Sequence, residues 1–296
     1  MRVAIALAAF FAAPGVWAHT DAAVAGEDAL QALVAALLVA SAILYGLGLR
    51  RMAIASVLPA RVRRSAALFT AGWLTLGASL VWPLATITAG LFSAHMVQHE
   101  LMMVVAAPLL VLGRPLAIWT WSLPERWRSA PARAFRGRAF AALWRRFTTP
   151  LGATIVHAVA IWTWHVPRVF ELSEASAAAH ALQHVAFLFS ALLFWWALLK
   201  PARGARIGAA VGCLFITMLH TSALGVLLTF SAEIWYPGAT AQAARWGLTA
   251  LEDQQLGGLV MWVVGSLPYV AAALALAARW FRNADAEDVA LRLPSR

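Results

Sequence analysis

A chain of 296 residues that is 62% hydrophobic, 12% charged and of mean hydropathy +0.75 falls outside the ordinary soluble class, where apolar residues make up about half and charges about a quarter. The composition is that of an integral membrane protein. The basic excess of 23 Lys+Arg over 13 Asp+Glu implies nucleic acid only if cytoplasmic loops do not explain it, and position along the chain decides between the two. Cys213, the single cysteine, lies inside an apolar run, which excludes an intramolecular disulfide and any cysteine-cluster metal site. Binding chemistry is left to His, Met, carboxylates and backbone.

The N-terminal stretch "MRVAIALAAFFAAPGVWAHT" has one positive charge, a short apolar run, a Pro-Gly break and small residues at Val16 and Ala18. It reads as a cleavable signal peptide, residues 1–18, with an uncleaved first helix as the alternative. Seven segments long enough to cross a hydrocarbon core come next, near 29–49, 66–86, 93–113, 150–169, 179–199, 207–230 and 256–278. The expected fold is therefore all-α: a polytopic bundle of seven transmembrane helices over residues 19–282, then a cytoplasmic tail, 283–296.

With the mature N-terminus outside, 20 basic residues fall in cytoplasmic segments and only Arg168 and Arg245 outside. The positive-inside rule thus sets the N-terminus outside and the C-terminus in the cytoplasm. It accounts for the charge without nucleic acid. The outer side is acidic, with Glu171, Glu174, Glu233, Glu252 and Asp253 among its residues. The arginines from 126 to 146 form a surface loop or amphipathic segment suited to anionic lipid, and "LGRP" at 112–115 reads as a helix end. Three outer hairpins share an aromatic residue and proline before a polar helix start, the mark of a duplicated unit or of the preference of Trp and Pro for interfaces.

"HMVQH" at 95–99 and "HALQH" at 180–184 repeat one H-x-x-Q-H pattern at the outer heads of two helices. Residues at i and i+4 share a helix face, so His95/His99 and His180/His184 each present a two-imidazole edge able to chelate one metal. His165 closes another helix at the same depth. His157 lies eight residues deeper, about 12 Å at the helical rise, with His220 at similar depth. Gln98 and Gln183 are placed to hold an imidazole tautomer from outside the ligand set. Met96, Met102 and Met103 adjoin the first pair, and thioether with imidazole favours copper, although Met is also common core filler. His19 would be the first mature residue, where a terminal amine beside an imidazole chelates Cu(II). Glu100 suggests proton uptake or charge compensation, with snorkelling to the surface as the alternative. Asp253 is either a cap of the last helix or a ligand.

"HMVQHELMMVVAAPLLVLGRP", "WTWHVPRVFE…HALQHVAFLFSALLFWW" and "WYPGAT…LTALEDQQLGGLVMW" together resemble the CtaG-type assembly factors of caa-type cytochrome c oxidases, over residues 66 to 280. The resemblance implies a seven-helix bacterial inner-membrane protein needed to build an active haem–copper oxidase by supplying copper. Carried over by motif, its functional residues fall on His95, His99, His165, His180, His184, Asp253, Gln254 and Gln255. Gln183 departs from the family, which often has Glu there.

The expected metal set is His95, His99, His180, His184, His165, His19, Met96, Met103, His220 and Asp253, supported by Gln98, Gln183 and Glu100. The expected function is copper binding and delivery to cytochrome c oxidase subunits, with membrane lipid and a periplasmic copper chaperone as further partners. No catalysis is required. Two rivals come from other classes. A bis-histidine membrane haem protein would use one His from each of two helices, and an intramembrane zinc hydrolase would need Glu100 or Asp253 as base.

Reporter fusions in the 114–149 segment should be cytoplasmic and those in the 231–253 segment external. An Arg-rich segment accessible from outside would overturn the placement of every histidine.

Overall fold

The computed structural model describes residues 21–81, 90–129, 137–200 and 205–292, and among these every regular element is helical. In chain order they are α1 (Asp21–Ala55), α2 (Ala60–Leu80), α3 (Phe92–Leu112), α4 (Pro115–Ser122), α5 (Arg138–Phe147), α6 (Pro150–Trp164), α7 (Pro167–Ala175), α8 (Ala177–Leu199), α9 (Ala205–Thr229) and α10, which starts at Ala250 and runs to Arg292. The expected signal peptide and His19 lie outside the described residues. α10 continues without a break past residue 282, where a tail was expected to begin.

Five of these helices are long and apolar enough to cross a membrane: Ala29–Ala55, Phe92–Leu112, Ala177–Leu199, Arg206–Thr229 and Ala250–Arg282. The two other expected spans differ from their sequence bounds. α2 begins six residues earlier than position 66, so Arg61, Arg63 and Arg64 lie inside its first turns. α6 stops at Trp164, because Pro167 cannot continue the ladder and instead opens the separate short helix α7. The outward faces stay apolar, with Leu33, Leu37, Val159, Leu182, Phe189 and Phe215 all exposed.

Two helices contain a widened, π-helical stretch, Leu101–Ala106 in α3 and Val260–Val264 in α10. Each is followed within a turn by a proline, Pro108 and Pro268. A proline ring has no N–H for the carbonyl four residues back and collides with it. Opening the preceding turn to i→i+5 bonding removes the collision without ending the helix. The two stretches are offset along the packed helices: Val260–Val264 lies beside Phe92–Glu100, and a Cβ on Gly265 would lie 2.7 Å from the Glu100 carboxyl.

Glycine sets how closely α10 approaches its neighbours. A Cβ on Gly258 would meet the Thr229 N at 2.6 Å and the Gly225 O at 2.7 Å, and one on Gly257 would meet the Phe92 ring at 2.5 Å. α10 is therefore wedged between α9 and α3 by two consecutive residues without side chains. At the other end, α1 packs on α4 with Gly48 against Ile118, and Tyr45 donates to the Gly113 carbonyl at 2.8 Å. The chain turns there at Arg114, φ 54°, immediately before Pro115, as the LGRP motif led us to expect.

Gly258→Val should destabilise the detergent-purified protein by about 1–3 kcal/mol through overpacking, read as a fall in melting temperature. Gly208→Ala, where a Cβ would meet nothing within 4 Å, should leave the melt unchanged or raise it slightly.

Candidate metal centre

The first turn of α3 is held from another helix. The Asp253 carboxylate, on α10, accepts from the backbone N–H of Phe92 at 2.7 Å, the N–H of Ser93 at 3.0 Å and the Ser93 hydroxyl at 2.6 Å. These amides have no partner within their own helix, and an anion at a helix N-terminus is favoured by the dipole as well. α10 itself is capped by Thr249 and Glu252 in a reciprocal capping box. Asp253 thus caps a helix, but not its own.

α3 and α8 run side by side and parallel, so their histidines face each other turn by turn. The His95 and His180 rings are 5.4 Å apart between centroids and His99 and His184 5.3 Å, with 4.3 Å and 4.5 Å within the respective pairs. Donor atoms of His95, His180 and His184 lie within 4.8 Å of one another. Three donors sharing one ion, each about 2.0–2.2 Å from it, stand about 3.3–3.8 Å apart, so these side chains need close by no more than about 1.5 Å. Phe187 lies beneath, 4.7 Å from the His99 ring and 5.9 Å from the His165 ring.

The hydrogen bonds decide which nitrogens can bind an ion. The Nε2 atoms of His95, His99, His165, His180 and His184 are buried and have no hydrogen-bond partner among the described residues. Each such atom costs about 1–3 kcal/mol; the Nε2 atoms of His157 and His220 are unpartnered as well, and what distinguishes the five is that they gather at one end of the bundle. His165 Nδ1 stands 2.7 Å from the Ile161 carbonyl. A carbonyl only accepts, so Nδ1 carries the proton and Nε2 the free lone pair. The Tyr236 hydroxyl donates to the His165 carbonyl at 2.6 Å and fixes the residue from the other side; burial raises the Tyr236 pKa above its ordinary value.

His220 and His157 are set apart. The Trp162 indole, which can only donate, bonds His220 Nδ1 at 3.3 Å, so the His220 lone pair is engaged and its Nε2 carries the proton. His220, expected among the ligands, is held in a tautomer unsuited to binding. His157 Nδ1 meets the Ser190 hydroxyl at 2.9 Å while that hydroxyl also reaches the Phe187 carbonyl, a satisfied core arrangement at Nδ1.

Several expected contributors point elsewhere. Met96 lies against Gly257 and Glu100 against Gly265, both on the α10 side of α3, whereas His95 and His99 face α8. One residue along a helix is a turn of about 100°, so neighbours in sequence face different helices. The Gln98 amide donates to the Ser79 carbonyl on α2 at 2.6 Å and holds no imidazole. Gln183 is fully buried beside His95. Met103 contributes its carbonyl to the Trp195 indole at 2.9 Å. Gln254 bonds the Trp235 N–H and the Glu233 carbonyl, and Gln255 the Ser231 carbonyl. The Asp-Gln-Gln motif therefore staples α3 and the 231–235 loop, while Tyr236 stacks on Phe92 at 4.8 Å.

Two residues escaped the sequence reading. Tyr236 was legible as part of the WYPG motif, but not as a support of His165. Glu174, on α7, places Oε1 4.0 Å from His95 Nδ1, and its only signal was membership of the acidic outer surface.

Fold and site together define an apolar helical bundle with a buried polyhistidine centre at one end. The sequence profile described as cytochrome c oxidase caa3 assembly factor (Caa3_CtaG) matches residues 43–283, and the chain belongs to that family. Among known proteins it is similar to Uncharacterized protein Mb0105 of Mycobacterium bovis and Uncharacterized protein MT0111 of Mycobacterium tuberculosis. Each is 26% identical over 223 residues, covering 71% of this chain and 34% of the relative. It also resembles Uncharacterized protein ML1998 of Mycobacterium leprae, 24% identical over 238 residues, 75% of this chain and 36% of the relative. The chain spans about a third of the length of these curated relatives. No solved structure matches it.

Asp253→Ala leaves two amides and a hydroxyl without their acceptor and should cost about 2 kcal/mol or more. Thermal melts should show the loss, and hydrogen exchange at Phe92 and Ser93 should accelerate. Asp253→Asn should lose less in both measurements.

Proposed function

We propose that this protein binds copper at His95, His99, His180, His184 and His165 and delivers it to a subunit of a haem–copper oxidase during assembly. The observation that carries the reading is the pair of parallel two-imidazole edges whose Nε2 atoms are buried without partners. Imidazole suits copper and zinc alike, and membership of an oxidase assembly family favours copper. Rings packed 4.3–6.3 Å apart suit one ion or a close pair better than a macrocycle between two of them. Transfer proceeds by ligand exchange, with no catalytic step.

In this reading the chain crosses a bacterial inner membrane seven times, α2 and α6 supplying the two spans beyond the five long apolar helices. The N-terminus and the histidine end face outward, as the distribution of arginines favours. A periplasmic copper donor and an oxidase subunit then meet the protein at the same acidic end. Mycobacterial relatives agree with a bacterial setting.

Replacing His99 or His184 by Ala should weaken copper binding on the order of 100-fold, measured by elemental analysis and chelator competition on purified protein. In cells the oxidase apoprotein should accumulate without its copper. His157→Ala should leave copper binding near wild type. Full copper content in both paired-histidine variants would refute the proposal.

A further inference from the structure

We propose that a cleft beside α7 is the port through which a divalent cation reaches the histidine centre, and that the Glu174 carboxylate takes the ion there and passes it to His95. The proposal rests on the metal-binding reading above and assigns to it a route and a further residue.

A cleft of about 330 Å³ is lined by Phe170, Glu171, Glu174, Tyr236 and Ala239, among others. Glu171 and Glu174 are three apart on α7, hence on one face of that helix, and both carboxylates line the cleft. Glu174 bridges two environments. Its side chain is 30% exposed on the cleft side, yet Oε1 is 4.0 Å from Nδ1 of His95, a side chain only 3% exposed. The contact is to Nδ1 of the ring; Nε2, on its other edge, is the buried nitrogen without a partner, so the carboxylate stands between an opening and an imidazole of the cluster.

A separation of 4.0 Å lets one ion touch Glu174 Oε1 and His95 Nδ1 together, since two donors each about 2.0–2.2 Å from a metal span no more than about 4.4 Å, and donor atoms of His180 and His184 lie within 4.8 Å of a His95 nitrogen to take the ion on. Passage is then a ligand exchange. A metal–oxygen bond to Glu174 is replaced by a metal–nitrogen bond to an imidazole, and no electron moves. The rim is firm, because Tyr236 is tied to the His165 carbonyl and stacked on Phe92. An approach across the outer face of α8 would run over exposed Leu182, Val185 and Phe189, an apolar face that a hydrated ion does not cross. Oxygen donors suit divalent ions better than Cu(I), which prefers thioether sulfur, and Met96 lies on the far side of α3.

The test uses the full chain in detergent, freed of metal by chelation and mixed rapidly with Cu(II)-glycine. Loading is followed by quenching of Trp fluorescence, and the loaded state by copper stoichiometry and electron paramagnetic resonance. Glu174→Gln should slow loading by about 10-fold or more while final stoichiometry and the nitrogen-ligand spectrum stay as in wild type. Glu174→Asp should restore most of the rate. Glu233→Gln, which removes the same charge from the loop at the same end of the bundle, should load like wild type. Wild-type loading by Glu174→Gln, or equal slowing by Glu233→Gln, would overturn the port. So would a Glu174→Gln protein that loads less copper at equilibrium or shows an altered spectrum, since Glu174 would then be a ligand of the centre. Failure of the underlying reading looks different: His99→Ala and His184→Ala would keep full copper whatever Glu174 does.

Discussion

The carboxylate of Asp253 sets where α3 begins, and most of the centre depends on that position. Its three hydrogen bonds to Phe92 and Ser93 lock the first turn of α3 against the first turn of α10. His95 is one turn further along and His99 two, so any axial slip of α3 would move both imidazoles past His180 and His184. Gly257 and Gly258 make the contact feasible by letting α10 approach α3 and α9 to backbone distance. The neighbouring glutamines extend the same junction to the loop that carries Tyr236, and Tyr236 in turn holds His165. A chain of short contacts thus runs from one carboxylate to three of the five imidazoles.

α3 turns different faces to different partners. The stripe of His95 and His99 meets α8, and the stripe of Met96 and Glu100 meets α10. Below these residues the helix widens, and α10 widens beside Phe92–Glu100, each ahead of a proline. The wider turns keep both helices continuous where a proline would otherwise break them.

Hydrogen-bond donors and acceptors sort the histidines more sharply than depth does. Ile161 leaves the His165 Nε2 lone pair free, while Trp162 occupies the lone pair of His220. Two imidazoles of one protein are thereby given opposite roles by a carbonyl and an indole, groups that can only accept and only donate. Glu174 stands out on the same grounds, as the carboxylate placed next to a ring nitrogen of the cluster among the described residues.

Composition and periodicity alone determined the helical, apolar character of the chain, the i, i+4 histidine pairs and their occurrence at two helix heads. These are local properties: hydropathy summed over twenty residues and the 3.6-residue turn need no knowledge of neighbours. The three sequence motifs also pointed to the family that the profile matches. Tertiary structure decided the rest, because each remaining question concerned which helix a given face meets. Adjacency in sequence placed Met96, Glu100 and Gln98 with the histidines, yet a rotation of about 100° per residue sends them to α10 and α2. Asp253 caps a helix 160 residues earlier, and His220 is paired with an indole 58 residues away. Hydrogen-bond partners so distant in the chain leave no periodic signal, and only the packing of helices brings them together.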